Sequence, residues 1–137
     1  MSKKYSFGID IDGTVTTQEF MVPYINKHFN TNVTLDDFTE YNLLNVLPID
    51  AVEFQNWFLA TEIEMYTNPP VQKFAHETLQ KWYPNAALNY ITARQDNSFD
   101  VTNHWFKNQQ IPMDSLSIVG NASKVAAAKK HQVELFF

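Results

Sequence analysis

Cysteine is absent from the 137 residues, which excludes a disulfide framework, a thiolate zinc centre and a thiol nucleophile. Basic residues are scarce: ten Lys and Arg against fifteen Asp and Glu leave a net charge of −5. A protein that coats a nucleic-acid polymer needs a basic face, so that class is not expected. Phosphate can still be bound locally, by a lysine, backbone amides and a metal. No apolar run approaches membrane-spanning length, and Met1-Ser2-Lys3-Lys4 leads into a strand-like stretch without an apolar signal segment. The expectation is a cytoplasmic protein with no membrane partner. The triplets Asn32-Val33-Thr34 and Asn121-Ala122-Ser123 fit the glycosylation pattern, which is a chance match without a secretion signal. His28, His76, His104 and His131 show no metal-ligand spacing and read as surface or core residues. There is no internal repeat and no low-complexity segment.

What is present is a globular composition, 45% apolar and 15% aromatic, with one domain's worth of chain and enough of it to bury a core. The segment Phe7-Gly8-Ile9-Asp10-Ile11-Asp12-Gly13-Thr14-Val15-Thr16 organises the rest. Led in by Tyr5, it starts as the apolar run of a buried strand. It then delivers two carboxylates, a glycine and threonines where the backbone must turn. Acids at that point sit on the carboxyl edge of a sheet, where open α/β folds place their ligands. Asp-x-Asp-Gly also occurs in plain turns and in calcium loops. A calcium loop needs glycine at position six and an acid at position twelve; counted from Asp10 these are Val15 and Met21.

Periodicity predicts the remaining elements. A helix spans Phe20 to Phe29, Thr34 caps a short segment from Leu35 to Phe38, and Tyr41 to Pro48 is irregular. Asp50 and Glu53 begin a helix running to about Glu64, with Phe54, Trp57, Phe58 and Thr61 on one face. Pro69-Pro70 marks a boundary before a helix from Gln72 to Trp82. Ala87 to Ile91 is a second strand ending in Thr92-Ala93-Arg94, and Asp96 or Asn97 caps the next helix. Leu116 to Val119 is a third strand closed by Gly120. Asn121 or Ser123 caps a helix from Val125 to Lys130, and Val133 to Phe137 is a fourth strand. Strands alternating with helices make an α/β protein, a Rossmann-like parallel sheet in three α/β/α layers. Residues 1–18 and 69–137 form its core domain, with 19–68 a small helical cap inserted after the first strand.

Right-handed crossovers bring three strand ends to one edge. They carry Asp10 and Asp12, then Thr92 with Arg94 beyond it, then Gly120 leading to Lys124. Two acids, a hydroxyl and an ammonium suit phosphoryl transfer through an aspartyl phosphate. One carboxylate attacks phosphorus, and the other gives a proton to the leaving oxygen and takes one from water. Hydroxyl and ammonium stabilise the transferred group, and Mg²⁺ relieves the repulsion between anions. Arg94 could grip a second substrate group or pair with Asp96.

Asp10-Ile11-Asp12-Gly13-Thr14-Val15-Thr16, Tyr90-Ile91-Thr92-Ala93-Arg94 and Gly120 with Lys124, in this order over most of the chain, resemble the first three motifs of the haloacid dehalogenase superfamily. Within it the chain is most similar to the nucleotidases related to 5′(3′)-deoxyribonucleotidases, which carry a small helical cap between the first two motifs. The resemblance implies a magnesium-dependent phosphatase. Asp10 would be its nucleophile and a Mg²⁺ ligand, and Asp12 its general acid/base and a ligand through the backbone carbonyl. Thr92 would bond the phosphoryl oxygens and Lys124 would neutralise nucleophile and phosphate. Superfamily ATPases carry Lys and Thr at the positions of Ile11 and Asp12; the retained acid reads as a phosphatase.

The family's fourth motif, an acidic pair or triplet after the fourth strand, would fall beyond Phe137. The expectation for this chain is therefore weak magnesium affinity and little turnover. A non-catalytic phosphate-binding or protein-interaction module of the same fold stands as the alternative. The aromatics Phe20, Tyr24, Tyr41, Trp57, Phe58 and Tyr66 are read as core first, though aromatic faces stack nucleobases and Phe20 is the best placed for it. The partner expected is a small phosphorylated metabolite, a nucleoside monophosphate among the candidates. An apolar strand from Val133 to Phe137 at an open sheet edge also points to a homodimer.

Overall fold

The computed structural model describes residues 3–17, 19–37 and 49–137. Four parallel strands form one sheet in the order β3-β2-β1-β4: β1 (Tyr5–Ile9), β2 (Ala86–Thr92), β3 (Ser115–Ile118) and β4 (Leu135–Phe136). The helices α1 (Val22–Phe29), α2 (Ala51–Thr67), α3 (Ala75–Trp82), α4 (Phe99–Asn108) and α5 (Lys124–Lys130) lie between them in sequence. This is the expected Rossmann-like α/β arrangement.

Each strand's place in the sheet follows from its residues. β2 is central and covered on both faces, so Leu88, Tyr90 and Ile91 are fully buried and the strand reads as one apolar run. β1 pairs with it from Tyr5 against Ala86 to Ile9 against Tyr90. On its other side β1 takes β4, and here Gly8 is required. A methyl group at Gly8 would lie 2.7 Å from Cδ2 of Phe136 and 3.0 Å from Cγ1 of Val133. β4 lies at the outer edge, where Leu135, Phe136 and Phe137 are exposed.

Two hydrophobic cores result. The first joins Ile9, Ile11, Val15, Leu79, Leu88, Tyr90, Trp105 and Phe106 around the sheet. The second gathers Phe20, Ile25, Phe54, Trp57, Met65 and Tyr66, with Val101 of α4 packed against it. The insert between β1 and α3 thus has its own apolar interior. Asp50 starts α2 by accepting hydrogen bonds from the Val52 and Glu53 amides, each 3.1 Å, a cap worth about 1 kcal/mol.

Several expected boundaries shift. The helix expected from Gln72 begins at Ala75, because neighbouring residues are spent on the β1 loop. Val71 bridges Thr16, Thr17 N–H donates to the Pro70 carbonyl, and Gln72 N–H donates to that of Val15. The first helix starts at Val22 rather than Phe20, after a turn closed by Val22 N–H on the Glu19 carbonyl. α2 runs to Thr67, one turn past Glu64. Neither Asp96 nor Asn97 caps α4: both lie in a 3-10 turn, Asp96–Ser98, that precedes it. Among the described residues Thr34 accepts no capping bond at its hydroxyl; its amide and hydroxyl donate to Asp37, and Phe38, the expected end of that segment, lies outside the described residues. Ser123 caps α5, accepting from Val125 N–H. β4 is shorter than Val133 to Phe137. The irregular stretch expected from Tyr41 to Pro48 lies outside the described residues. Among the described residues, no helix is long and apolar enough to cross a membrane.

Candidate active site

Alternation fixes the acids. Ile9 and Ile11 are buried in the first core, so Asp10 and Asp12 point the other way, past the end of β1. The loop is then closed tightly. The Ile11 carbonyl accepts from the amides of Thr14, Val15 and Thr16 at 3.1, 2.9 and 3.1 Å, and Gly13 supplies the positive φ of 80° that the turn needs. Fully buried Thr16 pins it from within, accepting from Gly13 N–H and donating to the Ile11 carbonyl.

The ends of β2 and β3 are tied together next to this loop. Val119 N–H donates to the Thr92 carbonyl and Gly120 N–H to the Arg94 carbonyl. Gly120, at φ 56°, turns the chain into α5. Lys124 is the first residue of that helix, and its Nζ lies 2.8 Å from Asp10 Oδ1. The same oxygen accepts from the Ile11 amide at 2.9 Å. Among the described residues no hydrogen bond reaches Asp10 Oδ2, which leaves it exposed to a reacting partner.

Arg94 does not pair with Asp96. Its Nε and Nη2 hold both carboxylate oxygens of Asp12 at 3.1 and 2.6 Å, and its Nη1 donates to Thr102 Oγ1 at 2.9 Å. The guanidinium carbon also lies 3.8 Å from the centre of the Tyr66 ring. This buried, bidentate pair orients Asp12 from below and stacks on the helical insert from above, a fork geometry that lysine could not supply. Thr92 is buried, with its hydroxyl accepting from Arg94 N–H at 3.3 Å.

Asp10, Asp12, Thr92, Arg94 and Lys124 all line one cavity of about 370 Å³, within the range of small-molecule sites. All five residues expected at the site therefore meet there. The insert lines the opposite side with Phe20, Met21, Phe58, Glu62 and Tyr66. Of the aromatics considered, Phe20, Phe58 and Tyr66 reach the cavity, Trp57 belongs to the second core with Tyr24 packed against it, and Tyr41 is outside the described residues. Burial, and next the charge of Asp12, push the Tyr66 phenol well above its ordinary value of 10.0, so it stays a neutral hydroxyl.

Glu62 escaped the sequence reading. It is fully buried, and among the described residues neither carboxyl oxygen has a hydrogen-bond partner. An unmade hydrogen bond on a buried polar group costs about 1–3 kcal/mol. Burial raises its pKa; the Asn97 side chain and then the Arg94 charge oppose the rise. The signal was available: Phe54, Phe58, Glu62 and Tyr66 recur every four residues, so an acid stands on the apolar face of α2.

Known proteins resemble this chain in sequence and in shape. It is 40% identical over 130 residues to the Bacillus subtilis protein named "Putative nucleotidase YqfW", spanning 95% of this chain and 67% of that one. In structure it is similar to a haloacid dehalogenase-like family hydrolase, SP0104, from Streptococcus pneumoniae. The TM-score is 0.64 at 14% identity, covering 99% of this chain and 75% of the other. It is also similar, at a TM-score of 0.50 and 9% identity over 86% of this chain and 64% of the other, to the HAD-hydrolase YfnB from Bacillus subtilis bound to magnesium. No protein-family model matches the chain.

Proposed function

The chain belongs to the nucleotidase-type hydrolases of the haloacid dehalogenase superfamily, and from that premise we propose that it is a magnesium-dependent phosphomonoesterase acting through an aspartyl phosphate. Residues 1–18 and 69–137 are its catalytic core and 19–68 its cap. The observation that carries this reading is the meeting of Asp10, Asp12, Thr92 and Lys124 around one cavity.

In the first step Asp10 Oδ2 attacks phosphorus, and the bond from phosphorus to the ester oxygen breaks as the bond to Asp10 forms. Asp12 gives a proton to the departing alkoxide. It then takes one from the water that attacks the phosphoenzyme, releasing inorganic phosphate and restoring Asp10. Because both Asp12 oxygens are bonded to Arg94, this role requires Asp12 to give up at least one of those bonds as the ester enters. The Lys124 ammonium and the Thr92 hydroxyl face the oxygens over which the transferred group spreads its charge.

The residues present fit a magnesium ion. The Asp10 carboxylate has an oxygen without a partner and the Asp12 carbonyl accepts no hydrogen bond among the described residues. Mg²⁺ is commonly held by one or two protein oxygens plus waters and substrate phosphate. Among the described residues no three His, Cys, Asp or Glu gather as a metal group, so water and phosphate would complete the shell. When bound, the ion would offset the repulsion between the carboxylates and the phosphate.

The substrate we infer is a nucleoside monophosphate, on the combination of a phosphate-sized cluster of polar groups with the rings of Phe20, Phe58 and Tyr66 and the nucleotidase relatives. The test is hydrolysis of p-nitrophenyl phosphate and a panel of nucleotides with Mg²⁺, run beside Asp10→Asn. Turnover lost in Asp10→Asn is the expected result, and turnover surviving it overturns the mechanism. Phosphate binding without hydrolysis by the unaltered chain would favour the non-catalytic module.

A further inference from the structure

We propose that Glu62 is the residue that selects the leaving group, pairing its carboxyl with N–H or O–H donors on the alcohol part of the substrate while Phe20, Phe58 and Tyr66 hold a flat face. The proposal rests on the phosphomonoesterase reading and adds what that reading leaves open.

Three observations carry it. Glu62 lines the same cavity as Asp10 and Lys124 but from the opposite side, on α2. On the phosphomonoesterase reading, a phosphate held at Asp10 would turn its ester oxygen toward the cap. Second, among the described residues neither Glu62 oxygen has a hydrogen-bond partner, and nearby Arg94 is turned to Asp12 and Thr102 instead. Third, the insert residues that share the cavity with Glu62 are Phe20, Met21, Phe58 and Tyr66, which cover a ligand's faces and, apart from the Tyr66 hydroxyl, offer its donors no acceptor. In a wall of that kind the carboxyl is the strongest acceptor for the polar edges of a ligand. Such a site rejects a ligand lacking the donor, because the buried acid is then left unpaired.

Two parts of a nucleotide offer such donors: the hydroxyls of the sugar and the N–H groups of the base. Substrate series on the unaltered chain separate them. One series steps from ribo- to 2′-deoxy- to 2′,3′-dideoxyguanosine 5′-monophosphate. The other replaces guanosine by inosine, removing the exocyclic amine. Loss of the recognised donor should lower kcat/KM about 10- to 100-fold in one of the two series. Flat values in both overturn the proposal without need of any variant.

Glu62→Gln then assigns the effect to this side chain. The readout is the ratio of kcat/KM for the preferred nucleotide to that for phenyl phosphate, whose leaving group has no further donor. The ratio should fall about 10-fold or more. If both substrates decline together and the ratio holds, Glu62 serves as a positioning residue for Arg94 and the proposal is overturned; an unchanged ratio with unchanged rates overturns it as well. A separate outcome, full turnover in Asp10→Asn, would indict the catalytic reading instead.

Discussion

On the sheet side of the cavity each charged group has a partner: Lys124 rests on Asp10, and Arg94 on Asp12. On the α2 side the acid, Glu62, has no hydrogen-bond partner among the described residues. The difference follows from what each side must do. A phosphoryl group has fixed charge and geometry, so donors and acceptors can be set in place beforehand by strand ends and tight turns. A leaving group differs from substrate to substrate, and on the proposed reading the surface that meets it is lined by the aromatic side chains Phe20, Phe58 and Tyr66. The two sides also differ in how they are built. The sheet side hangs on the backbone of β1, β2 and α5, whereas the other side is made by one face of α2 and the turn before α1 that carries Phe20 and Met21.

Removing the nucleophile breaks the comparison most severely. Asp10→Asn keeps the shape and one acceptor, but an amide does not attack phosphorus. Turnover should fall at least about 10³-fold, with binding of inorganic phosphate retained. Because Asp10 and Lys124 are each about one-third exposed, the change should move the thermal midpoint little. A calorimetric titration beside the rate assay checks both halves.

The two ion pairs should then behave oppositely. The Arg94 side chain is 1% exposed, and Arg94→Leu strands Asp12 and removes the stack on Tyr66. The cost should be about 3 kcal/mol, the low end for breaking a buried pair, since Asp12 itself is one-third exposed. Lys124→Met should cost less than about 1 kcal/mol of stability yet lower kcat about 10²-fold or more. Urea melts and rates on the two variants give the answer. Equal stability losses would mean that Arg94 is not the link between sheet and insert.

How much of this was legible beforehand divides along the same line. Asp10, Asp12, Thr92 and Lys124 could be read because each sits at a strand end or helix start that periodicity marks, and the topology of a parallel sheet does the rest. The start of α3 could not be read. Val71 and Gln72 carry no local feature against helix; the bonds that hold them extended come from Val15, Thr16 and Thr17, more than fifty residues earlier. The destination of Arg94 was hidden for the same reason, as Asp12 is 82 positions away and Asp96 is only two residues on. Glu62 was legible in principle, as an acid on an apolar stripe, but only to a reading that questioned each residue on the buried face of α2.

The finest test of the contrast is the pH dependence of stability at Glu62. Its ordinary value is 4.5 and burial raises it in the folded chain. Between those two values the folded state binds more protons than the unfolded one, so stability falls as pH rises through that window. Glu62→Gln removes the titration. The variant should therefore gain on the unaltered chain as pH climbs above 4.5, then run parallel to it once the acid is ionised in both states. Urea melts from about pH 4 to about pH 8 measure the difference directly. A difference that does not change with pH would mean that Arg94 and Asn97 already compensate the carboxylate, and the two sides of the cavity would then be equally paired.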